Sequence, residues 1–185
     1  VFNKCSSLYN FCRTLDDIVD DDKELEIKKN NFLKFKKDFI NKDYDNPIIK
    51  DMWLVIDEEN ISKHVVIDLF DGVQTDLEEK VKINSKKELL IYSYRVAGTV
   101  GLMMSKILKV NNKEALKGAI DLGIAMQFTN IARDVCEDKA RNRQYVDHNF
   151  LAIREIIDES QSFYENSFKS ISDIPIRSRF SVIVA

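Results

Sequence analysis

Two stretches of this sequence carry carboxylates at a spacing that can do chemistry. In Arg13-Thr14-Leu15-Asp16-Asp17-Ile18-Val19-Asp20-Asp21-Asp22, Asp16 and Asp20 stand four residues apart, on one face of a helix, with Asp17 and Asp21 as a second pair beside them. In Gln127-Phe128-Thr129-Asn130-Ile131-Ala132-Arg133-Asp134-Val135-Cys136-Glu137-Asp138, Asp134 and Asp138 repeat the spacing. Gln127 and Asn130 extend that face toward the N-terminus. Like charges so placed oppose a helix by about 0.2–0.5 kcal/mol, and an unpaired carboxylate inside an apolar fold costs far more. A cation removes the penalty. Mg²⁺, with Mn²⁺ as an alternative, takes oxygen ligands, keeps waters, and binds one or two carboxylates together with substrate phosphate. The expected metal ligands are Asp16, Asp20, Asp134 and Asp138, with a diphosphate bridging the ions. Arg13 and Arg133 adjoin the motifs and could grip phosphate oxygens as forks. Taken singly, each acidic run also reads as a solvated helix end, with Arg13 pairing Asp16 or Asp17 at the surface. The two motifs together favour the metal–diphosphate reading. An EF-hand is excluded, because no glycine stands sixth from Asp16, Asp17 or Asp20.

Between the motifs lies Tyr92-Ser93-Tyr94-Arg95-Val96-Ala97-Gly98-Thr99-Val100-Gly101-Leu102-Met103-Met104. Gly98 and Gly101 each cost a helix about 1 kcal/mol relative to alanine. Two readings stay open. Small residues let helices approach closely, or their absent side chains leave room for a long apolar ligand, with Tyr92, Val96 and Thr99 on the cavity wall. A tyrosine there could stabilise a carbocation or take part in proton transfer.

These residues need a scaffold of long helices. The chain has 185 residues, 5 Gly and 2 Pro, too few turn formers for a sheet protein of this length. Hydrophobic residues make up 44% and charged residues 32%, a globular balance. Apolar periodicity predicts helices over about 1–20, 23–40 (apolar face Leu25, Phe32, Leu33, Phe35, Phe39) and 47–58. Further helices are expected over 62–80, interrupted or kinked at Gly72, then 86–108, 111–136 and 149–170, with a last one from Pro175. Asn41–Asn46 and Arg141–His148 read as polar loops. Trp53–Ile56, His64–Ile67 and Ser181–Val184 are β-branched enough to be strand, but their surroundings favour helix. The net charge of −3 gives no bulk attraction for nucleic acid. Cys5, Cys12 and Cys136 lack CxxC spacing, which argues against a disulfide framework or zinc site and fits a reducing compartment. No apolar run reaches the roughly 18 residues of a membrane span. A cytoplasmic protein is expected, with peripheral membrane contact through the lysines of the second helix as a secondary expectation. His64 and His148 have no partner spacing, and Cys136 reads as a packing residue. The first residue is Val1 and the last stretch, 181–185, is apolar. The expectation is one domain over 1–185, truncated at both ends.

The runs Leu8–Asp20, Tyr92–Met104 and Asp121–Asp134 together resemble the squalene/phytoene synthase family, with Val100–Met104 and Asp121–Asp134 most similar to its phytoene synthases. Asp71-Gly72 with Asp76-Leu77, Arg143-Gln144-Tyr145 and Pro175-Ile176-Arg177 are similar to further family segments. The resemblance implies an all-α, isoprenoid synthase-type bundle around a central apolar cavity. It gives the Mg²⁺ roles to Asp16, Asp20, Asp134 and Asp138 and substrate roles to Arg13, Arg133, Gln127 and Asn130. Tyr92, Val96, Ala97 and Gly101 take the pocket wall, Tyr92 with a catalytic part. The family's N-terminal Ser-rich motif and C-terminal helices have no counterpart in this sequence. The implied reaction is head-to-head (1'-1) condensation of two geranylgeranyl diphosphates to phytoene through a cyclopropyl diphosphate, a step of carotenoid biosynthesis needing no nucleotide cofactor. Rival readings are a squalene or dehydrosqualene synthase using farnesyl diphosphate, a chain-elongating prenyltransferase, and an inactive assembly factor on the same fold.

Overall fold

The computed structural model describes residues 1–176 and residue 179. Nine α-helices carry these residues: α1 Phe2–Asp20, α2 Leu25–Ile40, α3 Pro47–Glu59, α4 Lys63–Thr75, α5 Lys86–Ser93, α6 Thr99–Ile107, α7 Lys113–Arg133, α8 Val135–Ala140 and α9 Phe150–Phe168. A π-helical turn, Tyr94–Gly98, joins α5 to α6, and a 3₁₀ turn, Ile171–Asp173, follows α9. The all-α expectation holds. None of the described helices is long and apolar enough to cross a membrane.

Local chemistry explains the helix ends. The Asn46 side chain accepts from the amides of Ile48 and Ile49 at 3.0 and 3.4 Å, and Pro47 opens α3 where its lost donor costs nothing. Asn60, at φ 50°, closes α3 in the left-handed region. Ser85 accepts from the Glu88 amide at 3.2 Å, while the Glu88 carboxylate accepts from the amide of Asn84 at 2.9 Å, a capping box displaced by one residue. Asn112 and Asn149 cap α7 and α9 by accepting from the amides of Glu114 and Ala152, each at 2.9 Å.

Burial then assembles the helices. Phe11, Phe32, Phe39 and Phe70 are fully buried. The Phe11 ring lies 5.6 Å from Phe35, 5.4 Å from Phe39 and 5.7 Å from Phe70, so α1, α2 and α4 share one aromatic cluster. Each such ring contributes about 1.5–3 kcal/mol by burial. Trp53 stacks on Phe39 and donates its indole N–H to the Phe39 carbonyl at 2.9 Å. A second cluster gathers Leu89, Tyr92, Ile124, Phe128, Ile131, Tyr145 and Ile156. Val96, on the π turn, packs against both.

The structure departs from the sequence expectations in several places. Segment 53–56 and segment 64–67 are helical as expected, but α4 stops at Thr75 rather than near Lys80. Gly72 neither breaks nor ends it; a Cβ there would stand 2.7 Å from the Arg95 Cβ, so the glycine admits the π turn alongside. Val81–Lys82 (β1) and Arg143–Gln144 (β2) pair as a two-residue parallel ladder, Val81 with Arg143 and Lys82 with Gln144. Two residues carry no periodicity to read. Leu33 is 53% exposed, not on the apolar face, since it lies one position and about 100° round the helix from Phe32. The expected helix from 111 to 136 breaks at Asp134, whose φ −99° and ψ 13° separate α7 from α8. The final helix expected from Pro175 falls mostly outside the described residues, and segment 181–184 lies wholly outside them.

Candidate active site

α1 and α7 both run toward the same end of the molecule, so the two acidic motifs arrive together. They sit at the mouth of a cavity of about 1520 Å³, larger than the roughly 300–1,000 Å³ of sites for one small ligand. Leu15, Val19, Leu69, Val73, Val100 and Met104 are among its apolar walls. Asp16, Asp20, Asp134 and Asp138 all line it, as do Gln127 and Asn130 from α7, Tyr92 from α5, Val96 and Ala97 from the π turn and Gly101 from α6.

Both readings coexist at Gly101, whereas Gly98 serves close packing alone, a Cβ there standing 3.0 Å from the Tyr94 ring and 3.2 Å from Ile120, outside the cavity lining. A Cβ on Gly101 would run into the Ala119 carbonyl oxygen, and one on Gly123 into that of Ala97, so α6 and the π turn touch α7 backbone to backbone. The same two glycines line the cavity. Thr99 does not: it is fully buried and donates its hydroxyl to the Arg95 carbonyl at 2.7 Å.

The arginines next to the motifs turn elsewhere. Arg13 pairs with Asp17 at 2.9 Å, with 61% of its side chain exposed, and is outside the lining. Arg133 forks onto Asp134, Nε to Oδ1 at 2.7 Å and a terminal nitrogen to Oδ2 at 2.6 Å, and likewise stays outside the lining. The cations that do line the cavity are Arg141 and Arg143, which reach Asp20 Oδ1 at 3.1 and 3.2 Å. Sequence reasoning gave Arg143 and Tyr145 no role beyond family likeness, and Arg141 none. The available signal was alternation, since residues 143 and 145 of an extended segment share a face.

Asp76, just after α4, was also given no role. Its carboxylate accepts from the Tyr145 hydroxyl at 2.6 Å and from the Tyr92 hydroxyl at 2.9 Å. The two tyrosine rings stack at 4.8 Å. Burial raises the Asp76 carboxyl above its ordinary range, opposed by the tyrosine bonds and Arg143.

The acids at the mouth differ in charge balance. Partial desolvation, with Asp20 close by, pushes Asp16 up to about 6. Desolvation, with Asp134 and Asp76 near and Arg143 opposing, pushes Asp138 up to about 6. The Arg133 fork instead holds Asp134 below the usual carboxylate range. Among the described residues, no three Asp, Glu, His or Cys side chains form a ready-made metal cage. The donor set fits Mg²⁺ all the same: paired carboxylates, two of them short of positive charge, at an opening where phosphate and water can supply the remaining ligands.

Comparison with known proteins bears on the fold and the family. The squalene/phytoene synthase family pattern matches residues 3–152. The phytoene synthase of Pseudescherichia vulneris is 28% identical over 96% of this chain and 68% of its own length. The presqualene diphosphate synthase of Sinorhizobium fredii is 28% identical over 90% of this chain and 58% of its own length. Among solved structures, the squalene synthase HpnC from Alicyclobacillus acidocaldarius superposes with a TM-score of 0.79 at 18% identity, over 96% of this chain and 76% of that one, a likeness of fold. The chain belongs to the squalene/phytoene synthase family.

Proposed function

We propose that the protein is a Mg²⁺-dependent prenyltransferase that joins two geranylgeranyl diphosphates head to head to give phytoene. The observation that carries this reading is the convergence of Asp16, Asp20, Asp134 and Asp138 on the mouth of one large apolar cavity. Bound there, Mg²⁺ would neutralise the diphosphate and make it a better leaving group. Asp16 and Asp20 on one side, Asp134 and Asp138 on the other, would hold the metal. Arg141 and Arg143 take diphosphate oxygens, and Gln127 and Asn130 orient the head of the substrate. Arg13 and Arg133 stand outside the lining, and Arg133 would be freed toward phosphate if Asp134 held the metal. As the first C–O bond breaks and diphosphate leaves, the allylic cation is attacked by the double bond of the second prenyl chain, and loss of a proton closes the ring to a cyclopropylcarbinyl diphosphate. Ionisation of that diphosphate and loss of a proton give the hydrocarbon. Val96, Ala97 and Gly101 exclude water that would quench each cation, and the Tyr92 ring faces the charge.

The likeness to a presqualene diphosphate synthase favours a second reading, farnesyl diphosphate as substrate on the same site. Incubating the whole protein with Mg²⁺ and labelled geranylgeranyl or farnesyl diphosphate separates the two by product length. No labelled product from either, with Asp16→Ala and Asp134→Ala indistinguishable from wild type, overturns both.

A further inference from the structure

The carboxylate of Asp76 is not among the groups expected to bind metal, yet it sits where the acidic mouth meets the apolar interior. It accepts hydrogen bonds from the hydroxyls of two residues of different elements, Tyr145 just beyond β2 and Tyr92 on α5, whose oxygens lie 3.2 Å apart. Both tyrosines are 7% exposed. Tyr145 and Arg143 follow one another on the same face of the extended β2 segment, and the ladder to β1 fixes their register through Val81 N–H to Asn142 O at 3.1 Å and Ile83 N–H to Gln144 O at 3.0 Å. The Arg143 side chain is 12% exposed. Both terminal nitrogens of Arg143 donate to Asp20 Oδ1 at 3.2 Å, and Arg143, Asp20 and Asp76 all line the cavity.

We propose that Asp76 is a positioning residue of this site: by anchoring Tyr145 and Tyr92 it fixes the extended segment 143–145, and so holds Arg143 facing the cavity, ready to turn from Asp20 to a diphosphate. This rests on the reading of the cavity as a diphosphate site. Without the Asp76 carboxylate, Tyr145 loses its shortest hydrogen bond and the segment that carries Arg143 is no longer clamped against Tyr92, so the guanidinium is presented less well to a substrate.

Direction of effect separates positioning from simple electrostatics. Removing a negative charge beside an anion site tightens anion binding by Coulomb attraction alone. Loss of positioning weakens it. The test is the affinity of inorganic pyrophosphate, with Mg²⁺, for the whole protein carrying Asp76→Asn, measured by calorimetry beside wild type. The expected result is weakening of about 10-fold or more, the range for partners that orient a ligand-binding group, with unchanged far-UV circular dichroism. Equal or tighter binding overturns the proposal. Should Asp76→Asn fail to fold, Tyr145→Phe, which keeps the stacked ring and removes only the clamp hydroxyl, decides instead. A several-fold loss of pyrophosphate affinity supports the proposal and an unchanged affinity overturns it. If wild type itself binds no pyrophosphate, the diphosphate reading of the cavity fails, a result distinct from any difference between variants.

Discussion

The two acidic motifs look alike in sequence and are built differently. The first lies on the unbroken end of α1, where Asp20 is held by Arg141 and Arg143 while Asp16 is left short of positive charge. The second straddles a break between α7 and α8, where Asp134 is neutralised by the neighbouring Arg133 and Asp138 is left short. Each motif therefore contributes one compensated and one uncompensated carboxylate. The difference shows that the i,i+4 spacing does not fix the roles of its members. In the resting protein arginines balance half of the site's charge. The other half, Asp16 and Asp138, waits for a cation.

That division can be broken most severely at the uncompensated acids. Asp16→Ala or Asp138→Ala is expected to lower kcat by roughly 10²–10³-fold, comparable to losing a principal electrostatic group of an active site, in a steady-state assay with Mg²⁺. In metal-free protein the same acids act the other way. Their folded pKa, about 6, lies above that of an unfolded aspartate, so their contribution to stability is fully present below the unfolded value and is lost as pH rises through 6. Asp16→Asn should then raise the melting temperature of metal-free protein at pH 7.5, on the order of 1–2 °C, by differential scanning calorimetry. An unchanged or lower value would mean that Asp16 is already balanced.

Metal affinity sharpens the comparison. Lowering pH from 7.5 to 5 protonates Asp16 and Asp138, with Asp134 still ionised, so Mg²⁺ with pyrophosphate should bind at least about 10-fold more weakly. Isothermal titration at the two pH values reads this directly. The motifs also depend on the distance between α6 and α7. Gly101→Ala drives a methyl into the Ala119 carbonyl and should cost about 1–3 kcal/mol of stability in urea unfolding. The smallest effect is expected at the rim. Arg13→Gln removes an exposed pair with Asp17, worth about 0–1 kcal/mol, and should leave Mg²⁺ affinity unchanged. Arg133→Gln frees Asp134 and should change it measurably.

Much of the scaffold was legible because apolar spacing and capping residues act locally. Asn46, Ser62, Ser85, Asn112 and Asn149 each cap a helix with a side chain that the sequence displays. The acidic faces were legible for the same reason: carboxylates four apart share a side of any helix. What stayed hidden is set by long-range packing. The β1–β2 ladder joins residues about sixty positions apart. The break at Asp134 leaves no proline or glycine signal. Arg13 and Arg133 drew notice by adjacency, yet the guanidinium groups inside the cavity come from Arg141 and Arg143 after the break. Asp76 meets Tyr92 and Tyr145 only because α4, α5 and β2 pack together.

The central claim, that both motifs act as one metal–diphosphate site, is tested most directly by a crystal structure of the whole protein with Mn²⁺ and an unreactive prenyl thiodiphosphate, read by anomalous scattering. The account predicts metal density in contact with carboxylates of both motifs, Asp16 or Asp20 on α1 and Asp134 or Asp138 across the mouth, with the prenyl chain lying past Val96 and Gly101. Metal and analogue bound elsewhere, or at one motif with the chain outside the cavity, would contradict it.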